Sequence, residues 1–157
     1  MQYRMKTHQL DKTQIESIMN RVQTGCLATV SSDNTPYVVP VHFVYFNEKI
    51  YIHGLSAGEK ISNIKNNANV CFTAYEMECL LLDSENKPCD TNTKYQSIVA
   101  KGTAVILEDI SVKRSILNKI VKKYTPHLEN SELPENMVKG TAVIELNVTQ
   151  ITGKFYE

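Results

Sequence analysis

A chain of 157 residues in which 17 Lys plus Arg balance 17 Asp plus Glu has no net field to draw it to nucleic acid or an anionic membrane. Its length fits one domain, residues 1–157, folded around a single core. The opening MQYRMKTHQLDKTQ lacks the apolar centre of a secretory signal and nowhere do about 18 apolar residues run together, so the expected location is cytoplasmic, with no membrane and no nucleic acid among the partners.

The first periodic segment is LDKTQIESIMNRVQTG, where Ile15, Ile18, Met19 and Val22 recur at helical spacing. Asp11 and Gln14 are arranged as a capping box, and Gly25 is the expected stop. GCLATVSS reads as a short strand and SDNTP as a turn. From Tyr37 to Phe46 the chain is almost continuously apolar, which predicts a strand covered on both faces. Asn47-Glu48-Lys49 then turns a hairpin into KIYIHG, where Tyr51 and His53 share one face and Ile50 and Ile52 the other.

SAGEKISNIKNNANV predicts a short helix starting near Gly58 or Glu59 with Ile61 and Ile64 inward, and VCFTAYEME a strand after it. DSENKPCDTNTK has turn composition throughout and predicts an exposed loop. YQSIVAKGTAVILED is a long strand with a bulge or bend at Gly102. SVKRSILNKIVKKYTP repeats Val112, Ile116, Ile120 and Tyr124 helically and stops at Pro126. After the polar linker HLENSELPEN comes the last strand, KGTAVIELNVTQITG, with one wetter face expected. The hexapeptide KGTAVI occurs twice, at Lys101 to Ile106 and at Lys139 to Ile144, without matching flanks, so it predicts two strands under similar packing demands and no duplicated unit. Six strands and three helices, with few helical crossovers between strands, predict a mainly β, antiparallel barrel flanked by helices.

Chemistry is sparse in the motifs themselves. Cys26, Cys71, Cys79 and Cys89 show no C-x-x-C pair and no close histidine spacing, so buried thiols are expected, with no zinc site and no disulfide framework. GLSAGEK, Gly54 to Lys60, falls one residue short of a phosphate loop and has Ile61 where that loop needs a hydroxyl. A glycine, Ser56, Lys60 and the first amides of a helix would still suit an anion, although spacing alone favours a capped helix start with a solvated lysine. For His42 and His53 the residues alone favour imidazoles bonded to carbonyls or hydroxyls, and no third ligand lies near enough to suggest a metal.

PYVVPVHFVYFNEKIYIHGLSAGEK, YQSIVAKGTAVILED, KRSILNKIVKKYTP and ITGKF together resemble the flavin-binding split-barrel proteins related to pyridoxamine 5'-phosphate oxidase, most closely their 5-nitroimidazole reductase branch. The resemblance runs in order from about Ile15 to Tyr156. It implies a six-stranded antiparallel split barrel, a homodimer, and FMN held in clefts at the subunit interface. Val39, Pro40, Val41 and His42 would lie along the flavin ring. His53, flanked by Ile52 and Gly54, would stand beside it within reach of a small substrate. Lys60, with Glu59 before it, would hold the FMN phosphate, and Ser97 would touch flavin from the partner subunit. The activity implied is reduction of a small organic acceptor, nitroaromatics included, with His53 as proton donor or positioning group. The alternative is a protein that carries flavin, or haem or a deazaflavin, without turnover. The oxidases proper bear an arginine- and tryptophan-containing C-terminal stretch, whereas this chain has no Trp and ends ITGKFYE, which argues against that specific activity.

Overall fold

A computed structural model describes residues 6–157. The capping box closes as expected: Asp11 Oδ1 accepts from the Gln14 amide at 2.8 Å, while Gln14 Oε1 accepts from the Asp11 amide at 2.8 Å. They start helix α1 (Lys12–Arg21), which buries Ile15, Ile18 and Met19. The helix ends at Val22, earlier than the Gly25 stop expected from sequence. Gly25 instead lies in strand β1 (Thr24–Val30), where an added Cβ would stand 2.1 Å from the Phe72 ring. Its role is to admit Phe72 into the core.

Strand β2 (Pro36–Phe46) turns through Asn47 and Glu48, both at positive φ (51° and 61°), directly into β3 (Lys49–Leu55). Phe46 pairs with Lys49, so the loop has two residues, with the left-handed conformation that matches strand twist. Helix α2 (Glu59–Asn66) starts after Gly58, which takes φ 122°, and turns Ile61 and Ile64 inward. Strand β4 (Asn69–Leu81) and strand β5 (Asn92–Ile106) form a long ribbon whose connecting loop is exposed and carries one 3-10 turn, Pro88–Asp90. Helix α3 (Ile110–Tyr124), capped by Asp109, is followed by a 3-10 turn at Pro126–Leu128. One more helix, α4 (Glu135–Gly140), starts at the end of the polar linker and takes in Lys139 and Gly140, expected from sequence to open the last strand, so the described residues contain four α-helices where the sequence predicts three. Six residues with Val138 alone buried are too short to show a helical repeat. Strand β6 (Thr141–Tyr156) completes the chain.

The strands close into an antiparallel barrel in the order β1-β2-β3-β6-β5-β4, with β4 pairing back to β1. Alternation sends Leu27, Phe43, Ile50, Ile52, Phe72, Ile98, Ile144 and Leu146 into the interior, each essentially without exposure. Side chains from α1 and α2 join that core. A second apolar cluster lies outside the barrel wall, where α3 and α4 cover Val44, Tyr51 and Val143. Because of that cover β6 is buried on both faces from Ala142 to Ile144, and its wetter face begins only later along the strand.

The two KGTAVI segments end in neighbouring, paired strands, where Ile106 faces Ile144 and Ala104 faces Leu146. Their Lys-Gly pairs differ: Lys139 and Gly140 close α4, whereas Lys101 and Gly102 form a register shift in β5. A Cβ on Gly102 would meet the Asn147 carbonyl oxygen at 2.0 Å. Gly102→Ala is therefore expected to destabilise the barrel by about 1–3 kcal/mol, the usual cost of overpacking, as a lower urea midpoint with an unchanged slope.

Two expectations are corrected outside the core. Cys26 and Cys71 are only half-buried and Cys79 and Cys89 are exposed, all as free thiols, because alternation places Cys26 and Cys71 on the outer barrel face. Strand β2 is covered on both faces only around Phe43 and Val44, where α3 lies over it. Further back, Val38 is 59% exposed, and Pro40 and His42 stand beside it on an open outer face. Apolar residues without a cover within this chain account for the unbroken apolar run.

Candidate functional site

The hairpin register decides which side chains meet. Phe43 pairs with Ile52, so the next position along the ladder sets His42 opposite His53 on the outer face, the same face as Val44 and Tyr51. His42 is exposed, and its ring stacks on Tyr124 with centroids 4.4 Å apart and planes 20° apart. Tyr124 is itself fixed: its hydroxyl accepts from the Phe43 amide at 2.8 Å and faces the carbonyls of Gln23 at 2.6 Å and Phe43 at 2.9 Å. The last turn of α3 thus holds His42 in place. In the sequence Tyr124 is the last member of a helical repeat that stops at Pro126, and no local signal ties it to β2.

His53 is half-buried, and its Nδ1 is shut off from solvent with no hydrogen-bond partner among the described residues. Burial holds its pKa below the ordinary 6.5, and the neighbouring His42 and Lys60 push it further in the same direction. A buried ring nitrogen without a partner is costly and rare in a finished structure. It is the sort of group that a bound molecule satisfies.

Lys60 comes from the first turn of α2. Its ammonium lies over β3, 3.3 Å from where a Cβ on Gly54 would sit, so the missing side chain of Gly54 makes room for it. His42, His53, Gly54 and Lys60 therefore converge from β2, β3 and α2. They do so beside the exposed amides that open α2 behind Gly58, an arrangement suited to an anion. Glu59 is exposed at the same helix start.

The other residues singled out in the sequence divide by face. Pro40 points outward with His42, whereas Val39 and Val41 turn into the core cluster, as does Ile52, which is fully buried. These three can offer a ligand their backbone but not their side chains. Ser97 lies on the outer face of β5, paired with Tyr75 and Lys154, and lines a cavity of about 240 Å³ together with Leu10, Val99 and Ile151. The row His42, Thr24, Tyr75, Ser97 crosses three strand spacings, about 14 Å, so one chain does not bring Ser97 to His53.

Between them the outer face is apolar. Val38 stands opposite Ala28, Pro40 opposite Cys26, and Thr73 opposite Val99, with Val99 40% and Tyr75 53% exposed. Contiguous exposed apolar surface beside converging polar groups marks an interaction face.

A family model described as pyridoxamine 5'-phosphate oxidase matches residues 11–155. Among solved structures, a candidate 5-nitroimidazole antibiotic resistance protein from Bacteroides thetaiotaomicron is 29% identical, with a TM-score of 0.77 over 93% of this chain and 85% of that one. The FAD and heme binding protein from Mycobacterium smegmatis shares the fold at 15% identity, with a TM-score of 0.85 over 96% of this chain and 74% of that one. A flavocytochrome from Azotobacter vinelandii does so at 21% identity, with a TM-score of 0.82 over 94% and 68%. Among curated proteins none matches.

Proposed function

The chain belongs to the pyridoxamine 5'-phosphate oxidase family, and from that membership we propose that it binds FMN between two copies of itself and reduces a small organic acceptor, with nitroaromatics among the acceptors to test. The observation that carries the reading is the orphaned, buried Nδ1 of His53 beside Lys60 and the opening amides of α2. These groups fit a flavin phosphate ester: Lys60 and the helix start would take the phosphate, and His42, His53 and the β2 backbone would border the ring. Bound FMN supplies the hydride and electron chemistry, which no side chain of this site provides. The protein's own part is to orient the ring, exclude water and place His53 as a proton or hydrogen-bond donor toward the acceptor.

The open outer face supports the second copy. Val38, Pro40, Tyr75 and Val99 lack a cover in one chain, and Ser97 is about 14 Å along the sheet from His42. A second subunit would cover the apolar face and bring its own Ser97 to the first subunit's histidines, so a complete site needs both.

A second reading keeps the cofactor and drops the turnover. The depressed pKa of His53 favours it, since a neutral imidazole is a poor acid near neutral pH. On this reading the protein carries flavin, or another planar cofactor such as haem or a deazaflavin.

Light scattering and fluorescence titration test the shared part. The expected result is a dimer that quenches FMN fluorescence at one flavin per chain. A stable monomer, or no response to added FMN, overturns it. Stopped-flow mixing of the reduced protein with candidate acceptors then separates reductase from carrier.

A further inference from the structure

Four residues beyond His42 along β2, the hairpin end packs under the middle and last turn of α3 and leaves a cleft of about 330 Å³ whose lining does not include His42, His53 or Lys60. Val44, Tyr45 and Phe46 of β2, Lys119, Lys122 and Lys123 of α3 and Asn20 of α1 line it. The two lysines are unusual in what faces them. Lys119 Nζ sits 3.6 Å from the centre of the Phe46 ring. Lys123 Nζ sits 3.8 Å from the centre of the Phe43 ring and donates to the Met19 carbonyl at 2.9 Å. Neither has a carboxylate within salt-bridge distance among the described residues, whereas the adjacent Lys122 is paired with Glu129.

Lys123 is half-buried, and burial alone brings its pKa down to about 8. Placing the Lys123 ammonium against the Phe43 ring, the more distant Tyr124 ring at 5.6 Å and one carbonyl stabilises it less than a carboxylate would. Helix capping at Met19 accounts for one of its three N–H groups. A remaining donor, an unpaired second cation and an aromatic wall within one concavity make an anion receptor that α1 capping does not require.

We propose that this cleft is a second ligand site, separate from the histidine pair, which takes a small phosphate monoester with a flat apolar body: Lys119 and Lys123 hold the phosphate, and the body lies against Tyr45 and Phe46. The patch is small. Glu16 and Glu48, partly offset by Lys12, act on Tyr45, and the whole chain is charge-neutral, so the local positive potential suits one phosphate group better than a polyanion.

Phenyl phosphate is the probe, titrated into the full chain by calorimetry, with inorganic phosphate and phenol as its separate halves. It is expected to bind more tightly than either half, and Lys119→Met with Lys123→Met together should weaken it about tenfold or more while keeping the alkyl packing. Saturating FMN, which would fill the Lys60 site, should leave this binding unchanged. Lys119→Met alone should still weaken it severalfold if the double variant folds poorly. No binding at millimolar concentration, equal affinity in the lysine variants, or loss of binding when FMN is saturating would each overturn the proposal.

Discussion

Replacing Lys60 by alanine is expected to weaken FMN binding by about 1.5–3 kcal/mol while changing riboflavin binding much less, because a charge-assisted hydrogen bond to the phosphate is removed and riboflavin has no phosphate. The expectation rests on position: Lys60 stands in the first turn of α2, and its ammonium lies over the backbone at Gly54, next to His53. At about 1.4 kcal/mol per tenfold, the change is between roughly tenfold and a hundredfold in Kd, within reach of fluorescence titration. Salt gives an independent check, since a contact between exposed charges weakens as ionic strength rises and a ring contact does not. Equal losses for the two ligands would show that Lys60 supports the fold around Gly54 and does not meet the phosphate. A companion change, Gly54→Ala, would put a methyl group 3.3 Å from that ammonium and should displace it, lowering FMN affinity in the same direction as Lys60→Ala.

The barrel was legible in the sequence wherever a single periodicity ruled. Asp11 with Gln14, the inward Ile61 and Ile64, and the bulge at Gly102 are local signals, and the structure keeps each of them. What was lost depended on partners distant in sequence. Gly25 reads as a helix stop because its true neighbour, the Phe72 ring, arrives from β4. Val143 reads as one of the more polar-facing positions of β6 but is fully buried, since α3 and α4 lie over it. The site divides in the same way. His42 and His53 were visible as residues, but their meeting depends on whether the turn has two residues or three: counting Asn47, Glu48 and Lys49 as the turn shifts the register and separates them, whereas Asn47 and Glu48 alone bring them face to face. Tyr124, which holds His42, reaches the site from a helix that starts more than sixty residues downstream of His42, and nothing in its local pattern points at β2.

His53→Ala is expected to leave FMN affinity nearly intact and to slow acceptor reduction per bound flavin by about a hundredfold or more, the usual worth of general acid catalysis. The pH profile carries the sign. Burial, then His42 and Lys60, hold the His53 pKa below 6.5, so the protonated donor is present only in the acid range and is lost as pH rises through that lowered value. The rate of the parent protein should fall across that interval, and the His53→Ala profile should be flat there, so the two curves differ most at low pH. Removing the charge of Lys60 should move the parent's inflection upward, since one of the groups that disfavour the imidazolium is gone. Stability gives a readout independent of turnover. A folded pKa below the unfolded one means that the unfolded chain binds the extra proton first; the contribution of His53 to stability is therefore complete above about 6.5, declines as pH falls, and levels off below the folded pKa. Urea midpoints across pH should show that decline in the parent and lose it in His53→Ala. If the stability curves separate as described while the rates per flavin superimpose at every pH, His53 is a buried structural imidazole, the proton comes from solvent or from the acceptor itself, and the carrier reading replaces the reductase.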